Sequence, residues 1–155
     1  MKLSQHAAAS LPLGLTVLAA TGSAGYALAA ALASVCIDLD HILDYLIARR
    51  GWRGVKDFFA VCARAEFVKI HLVLHAWEWP IILCGGFGAG LVSPWLAAIG
   101  LGFGYHLVFD YLFNRPLPRP GLFYWLSYRA GKGFALDKLI CPQYLAAQRA
   151  KAGPA

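Results

Sequence analysis

The sequence predicts an all-α integral membrane protein: a bundle of about four transmembrane helices with interfacial helical segments beside them. Three observations carry that prediction. Hydrophobic residues make up 59% of the 155-residue chain and charged residues only 14%, against about 25% charged in an average soluble domain. Mean hydropathy is +0.57. The apolar stretches run almost end to end, so no separate soluble domain is expected. The predicted organisation is a four-helix membrane domain over residues 1–114 and a basic, aromatic, interfacial tail over residues 115–155.

Each predicted span meets or approaches the ~20 apolar residues that a bilayer core demands. The first, about Ala7 to Ala20, is short and ends at the turn signal Thr21-Gly22-Ser23-Ala24-Gly25. A competing reading makes it a cleaved signal peptide, because Lys2, the Leu11 to Ala20 run and the small residues after it fit that pattern. Its n-region, a single lysine, is weak. The second span runs from about Tyr26 to Ala48, the third from about Ile70 to Phe87 and the fourth from about Pro94 to Phe113. Pro80 interrupts the third, where a kink is expected. Beyond them, Arg115-Pro-Leu-Pro-Arg-Pro120 reads as a stiff turn, and Leu122 to Tyr128 (LFYWLSY) as an aromatic belt at the interface.

Lysine and arginine in short loops orient such a bundle. The Thr21 to Gly25 and Cys84 to Ser93 loops carry none. The segment between the second and third spans holds Arg49, Arg50, Arg53, Lys56, Arg64 and Lys69, and the tail holds Arg115, Arg119, Arg129, Lys132, Lys138, Arg149 and Lys151. The expected location is the cell inner (plasma) membrane, multi-pass, with both termini cytoplasmic. The net charge of +6 is then a property of the cytoplasmic face, suited to anionic headgroups, and calls for no nucleic acid. Cys36, Cys62, Cys84 and Cys141 are scattered without C-x-x-C or metal-ligand spacing, and read as small buried or interfacial residues.

On this topology all five histidines fall on the cytoplasmic side. His6 precedes the first span. Asp38, Asp40, His41 and Asp44 lie in the last third of the second, His71, His75 and Glu78 open the third, and His106 and Asp110 close the fourth. Residues three or four apart share a helix face, so His71, His75 and Glu78 would span an arc of roughly 60°, and His106 with Asp110 would form one ridge. An isolated ionised side chain in hydrocarbon costs at least ~2.5–3.5 kcal/mol, and several together need a compensating charge. A divalent cation supplies it, and imidazole with carboxylate is the ligand set of zinc, manganese or iron. The candidate metal ligands are His6, Asp38, Asp40, His41, His71, His75, His106 and Asp110. Two or more ions are plausible, and a pair about 3.5–4 Å apart is the usual device for phosphoester hydrolysis.

Each element also has a plainer reading. His6 alone is an ordinary interfacial polar residue, and His71 with His75 alone would be a helix-packing pair. Solvation, or pairing with Arg49, Arg50 or Lys69, competes with a site role for Asp44 and Glu78. The joint occurrence of the D-x-D-H cluster and H-x-x-x-D carries the metal reading. Histidines on facing helices can ligate haem, but axial haem ligation has no use for an acid cluster. Intramembrane Asp and His also mark metal or proton transporters, but the outer halves of these spans are almost wholly apolar.

At His6, Ile37-Asp38-Leu39-Asp40-His41, His71-Leu72-Val73-Leu74-His75 and His106-Leu107-Val108-Phe109-Asp110, the sequence resembles the YdjM-like family of membrane-bound metal-dependent hydrolases. The resemblance extends from about Met1 to Asn114. That family places Pro where Ile37 stands, and its two-histidine motif has a spacing of five, an Arg after the first histidine and a Ser after the second. This chain has a spacing of four, Leu72 and Ala76. The family is distantly similar to the zinc-dependent phospholipase C and single-strand nuclease group. The resemblance implies hydrolysis of a phosphoester, either a membrane lipid or a small molecule, at a divalent-metal centre, most readily zinc. In that scheme Asp40 bridges metals or orients water, Glu78 is the general base, and Lys69 and Arg115 steer the anionic substrate.

Overall fold

The computed structural model describes residues 3–113 and 120–151, and every regular element among them is helical. The helices are α1 (Leu3–Thr21), α2 (Ala24–Cys36), α3 (Asp40–Arg49), α4 (Val55–Arg64), α5 (Glu78–Gly88), α6 (Pro94–Phe113), α7 (Pro120–Phe123), α8 (Leu126–Gly131), α9 (Leu136–Leu139) and α10 (Pro142–Lys151), with a 3-10 turn at Ile37–Leu39 between α2 and α3. Two stretches, Ala24–Arg49 and Pro94–Phe113, are long and apolar enough to cross a membrane by length and composition, and the apolar run His6–Thr21 is shorter. The chain divides into two compact units, Met1–Asp38 with Leu74–Asn114 and Leu39–Val73 with Arg115–Ala155.

The first unit packs α2 against α1 and α6, and α5 against α6. Gly22, at φ +66°, ends α1 in the left-handed turn that glycine adopts without strain. Ser23 then caps α2 by accepting the Tyr26 N–H at 3.3 Å. The buried face of α2 is Ala27, Ala30, Ala33 and Ser34, and that of α6 includes Ala97, Ala98, Gly100 and Gly102. Leu13 and Val17 of α1 complete this core. Large apolar side chains point the other way: Leu11, Leu15, Leu28, Leu32, Ile81, Ile82, Leu91 and Leu101 are exposed. Small residues inside with large ones outside let backbones approach closely, as in helix pairs assembled in lipid.

The third expected span is shorter than its hydropathy suggests. Residues 70–77 are not helical, and α5 has 11 residues, about 16 Å of helix. Pro80 lies in its first turn, where its missing N–H is one that no helix satisfies. Further in, the proline ring would clash with the carbonyl four residues back, so the helix begins just ahead of Pro80 and no mid-span kink is needed.

In the second unit, α4 contacts α3 and α10, and half-buried polar groups pair with one another. Arg49 of α3 pairs with Asp57 of α4 at 3.3 Å and with Glu66 at 2.7 Å. The Tyr45 hydroxyl donates to Asp57 at 2.7 Å. That hydrogen bond, ahead of the Arg49 charge, holds the Asp57 carboxyl below the usual carboxylate range. Burial, then the Asp44 charge, pushes the Cys62 thiol up to about 11, which leaves it protonated and unreactive. The Cys36 side chain is exposed. The strand-like stretch before His71 is tied to the loop before α9, with Ile70 N–H donating to Phe134 O at 2.9 Å and Leu136 N–H to Val68 O at 3.1 Å.

Candidate metal centre

Five of the predicted residues, His6, Asp38, His75, His106 and Asp110, come together within the first unit. α1 supplies His6 near its start, and the 3-10 turn that follows α2 supplies Asp38. His75 comes from the bend ahead of α5, while His106 and Asp110 sit one turn apart on the buried face of α6. His6, His75, His106 and Asp110 are buried, and Asp38 is half-buried.

The contacts form a chain. His6 Nε2 lies 3.5 Å from Asp110 Oδ1, and Asp110 Oδ2 lies 3.5 Å from His106 Nε2. His106 Nε2 is also 3.5 Å from Asp38 Oδ1, which is in turn 3.5 Å from His75 Nε2. The His6 and His106 rings stack at 4.1 Å, and His75 meets His106 edge-on at 5.1 Å. The ligand atoms of His6, His106 and Asp110 lie within 4.8 Å of one another.

His106 gives this arrangement its chemical meaning. Its Nδ1 is 2.7 Å from the Ser34 carbonyl oxygen. A carbonyl only accepts, so Nδ1 carries the proton and donates it, and Nε2 is left with a bare lone pair in the neutral ring. That Nε2 is fully buried and, among the described residues, has no hydrogen-bond partner, yet it faces two carboxylates. A lone pair buried against two anionic oxygens is unfavourable without a positive charge among them. Two donors each about 2.1 Å from a shared ion at the tetrahedral angle lie about 3.4 Å apart, which matches the 3.5 Å separations. Fixing one imidazole nitrogen on a backbone carbonyl is also how metal-bound histidines are oriented. This buried His and Asp group can hold a metal ion.

Close packing sets the geometry. A Cβ on Gly102 would come within 2.7 Å of Ala33 Cβ and 3.0 Å of Ser34 N, so only glycine lets α6 approach α2 closely enough for His106 to reach the Ser34 carbonyl. Gly102→Val is therefore expected to destabilise the unit by about 2–3 kcal/mol and to weaken metal binding without altering a ligand. Thermal denaturation and elemental analysis check both, and a variant that keeps parental stability and metal content would refute the account.

Asp40 and His41 open α3 and Lys69 is exposed, all three in the second unit, while Glu78 is the first residue of α5. Arg115 lies outside the described residues. His71 shares no helix face with His75, because neither is helical. Its Nδ1 pairs with Asp44 at 2.6 Å within the second unit. Asp44 also accepts the backbone N–H groups of His71 and Leu72, so it is neither solvated nor paired with an arginine. Arg129, read from the sequence as one more tail cation, is buried and donates to Phe123 O at 2.6 Å and Leu72 O at 2.7 Å. Both acceptors are main-chain carbonyls, which no motif records, and the aromatic run before Arg129 was the only sequence sign of burial there.

An all-helical chain with a buried His and Asp group able to hold a metal ion is thus the class that fold and site define. Comparison with protein-family models, with curated proteins and with solved structures finds no match for this chain.

Proposed function

We propose that this protein is a membrane-embedded, metal-dependent hydrolase of phosphoesters, with zinc as the first candidate ion. The observation that carries the reading is the buried Nε2 of His106, held 3.5 Å from both Asp38 and Asp110. His6, Asp38, His75, His106 and Asp110 would be the ligands. A divalent ion bound there supplies Lewis acidity toward a phosphoryl oxygen and lowers the pKa of water. Glu78, three residues beyond His75, is the carboxylate we assign to proton transfer. The resemblance of the His6, Asp38, His75 and His106–Asp110 motifs to the YdjM-like family favours a phosphoester over other substrates.

Two spans of sufficient length and hydropathy, together with the outward large apolar side chains of the first unit, support residence in the membrane. The Gly22–Ser23 turn and the loop ahead of Pro94 carry no cation, which favours cytoplasmic termini. Protein extracted in detergent should contain at least one equivalent of divalent metal by elemental analysis. It should also hydrolyse a chromogenic phosphodiester, lose that turnover to a chelator, and regain it when metal is restored. Absence of stoichiometric metal, or turnover indifferent to both chelator and Asp110→Ala, overturns the proposal.

A further inference from the structure

The second unit carries its polarity inside out along residues 39–73. Its acids are turned inward: Asp40 and Asp44 are buried, and Asp57 and Glu66 are half-buried on Arg49. The cations Arg50, Arg53, Lys56 and Lys69 are all exposed. The fully exposed charges along this segment are therefore all positive.

The outer face of α4 is apolar. Val55 is 59% exposed and Phe59, one turn on, 55%, with Trp52 just ahead of the helix at 52%. The opposite face holds the buried Val61 and turns Asp57 toward Tyr45 and Arg49. Trp52 is held in place, edge-on to Tyr45 at 5.4 Å and stacked on Phe58 at 6.0 Å, so little side-chain freedom remains to be lost on docking. A rigid tryptophan beside an apolar stripe, rimmed by cations on long apolar stems, is the composition of a helix lying at the headgroup boundary of a bilayer. The one-sided charge selects the headgroup, because juxtamembrane cations bind anionic lipid.

We propose that the outer face of α4 docks on anionic phospholipid, with Trp52, Val55 and Phe59 below the headgroups and Arg50, Arg53 and Lys56 among their phosphates. This rests on the reading of the chain as a membrane protein, and adds which lipid it recognises and through which face. Attraction of each cation is worth about fivefold in binding, so neutralising three should shift the docking equilibrium by on the order of a hundredfold.

The test uses the full chain in nanodiscs of phosphatidylcholine alone or enriched in phosphatidylglycerol. An environment-sensitive fluorophore is placed on Phe59→Cys after replacing Cys36, Cys62, Cys84 and Cys141 with alanine. The expected result is a probe shielded from aqueous iodide only in the anionic discs, with shielding lost in Arg50→Gln/Arg53→Gln/Lys56→Gln. Amide exchange of residues 52–63 in the unlabelled, cysteine-containing protein should slow in the same discs. Equal iodide access in both lipids, or shielding indifferent to lipid charge as a covering protein would give, overturns the proposal. Alkaline carbonate extraction separates the underlying reading: a chain released to the supernatant is no integral membrane protein, whereas one retained with an accessible probe refutes only the α4 contact.

Discussion

His106→Ala is expected to weaken divalent-metal affinity by at least about 100-fold, the upper end of what loss of an outer-shell partner costs. Asp38 and Asp110 both face the His106 Nε2 at 3.5 Å, and the His6 ring stacks on its imidazole at 4.1 Å. Removal of the imidazole takes away a donor and leaves two carboxylates facing a void, where their mutual repulsion opposes any ion that remains bound through fewer ligands. The Ser34 carbonyl also loses its buried donor, at a cost of about 1–3 kcal/mol. Titration calorimetry with zinc and with manganese on metal-stripped protein measures the effect. His106→Gln, which keeps volume and an amide donor, should recover stability but not affinity. An affinity for His106→Ala within about threefold of the parent would rule out the ring as a ligand.

Asp44→Ala should lower the stability of the second unit by about 3–5 kcal/mol, without removing a residue of the metal centre. Asp44 is 1% exposed and accepts from the His71 N–H at 2.9 Å, the Leu72 N–H at 3.0 Å and the His71 ring at 2.6 Å. Leu72 is held at φ +43°, a region that a leucine occupies only when its surroundings require it. Asp44 on its N–H and Arg129 on its carbonyl supply that requirement. Alanine would strand two backbone donors, and a drop of roughly 10 °C in melting temperature is the expected readout. His71→Ala is the informative contrast. It removes the ring, yet both N–H groups keep their acceptor, so a loss of about 1 kcal/mol is expected, with metal content unchanged. Equal losses from the two variants would place the stabilisation in the ring pair and not in the backbone clamp.

Much of the centre was legible in the sequence because burial of polar residues in an apolar chain is conspicuous. His6, Asp38, His75, His106 and Asp110 were all named from their position at one end of hydrophobic runs. The α6 pair was legible even in detail, since Pro94–Phe113 is an uninterrupted helix and the i, i+4 spacing fixes its geometry. His71 and His75 could not be resolved that way. Their spacing suits a helix face, but Pro80 defers the helix to Glu78, and without the 3.6-residue period a spacing of four says nothing about direction. The domain reading met a similar limit, because the grouping of Leu39–Val73 with Arg115–Ala155 rests on contacts between segments far apart in sequence.

The sequence by itself determined that the chain is helical, that residues 24–49 and 94–113 are apolar enough to cross a membrane, and which side chains are too polar for their surroundings to lack a purpose. These are properties of composition and short-range periodicity, and need no knowledge of neighbours. The tertiary structure decided which polar residues share a site, that His106 turns its Nε2 toward the carboxylates because Ser34 holds its Nδ1, and that Asp44 and Arg129 serve a loop instead. Each of those outcomes depends on a main-chain oxygen or N–H brought close by packing of small residues or by a turn. Every residue carries the same backbone groups, so their partners are written only in three dimensions.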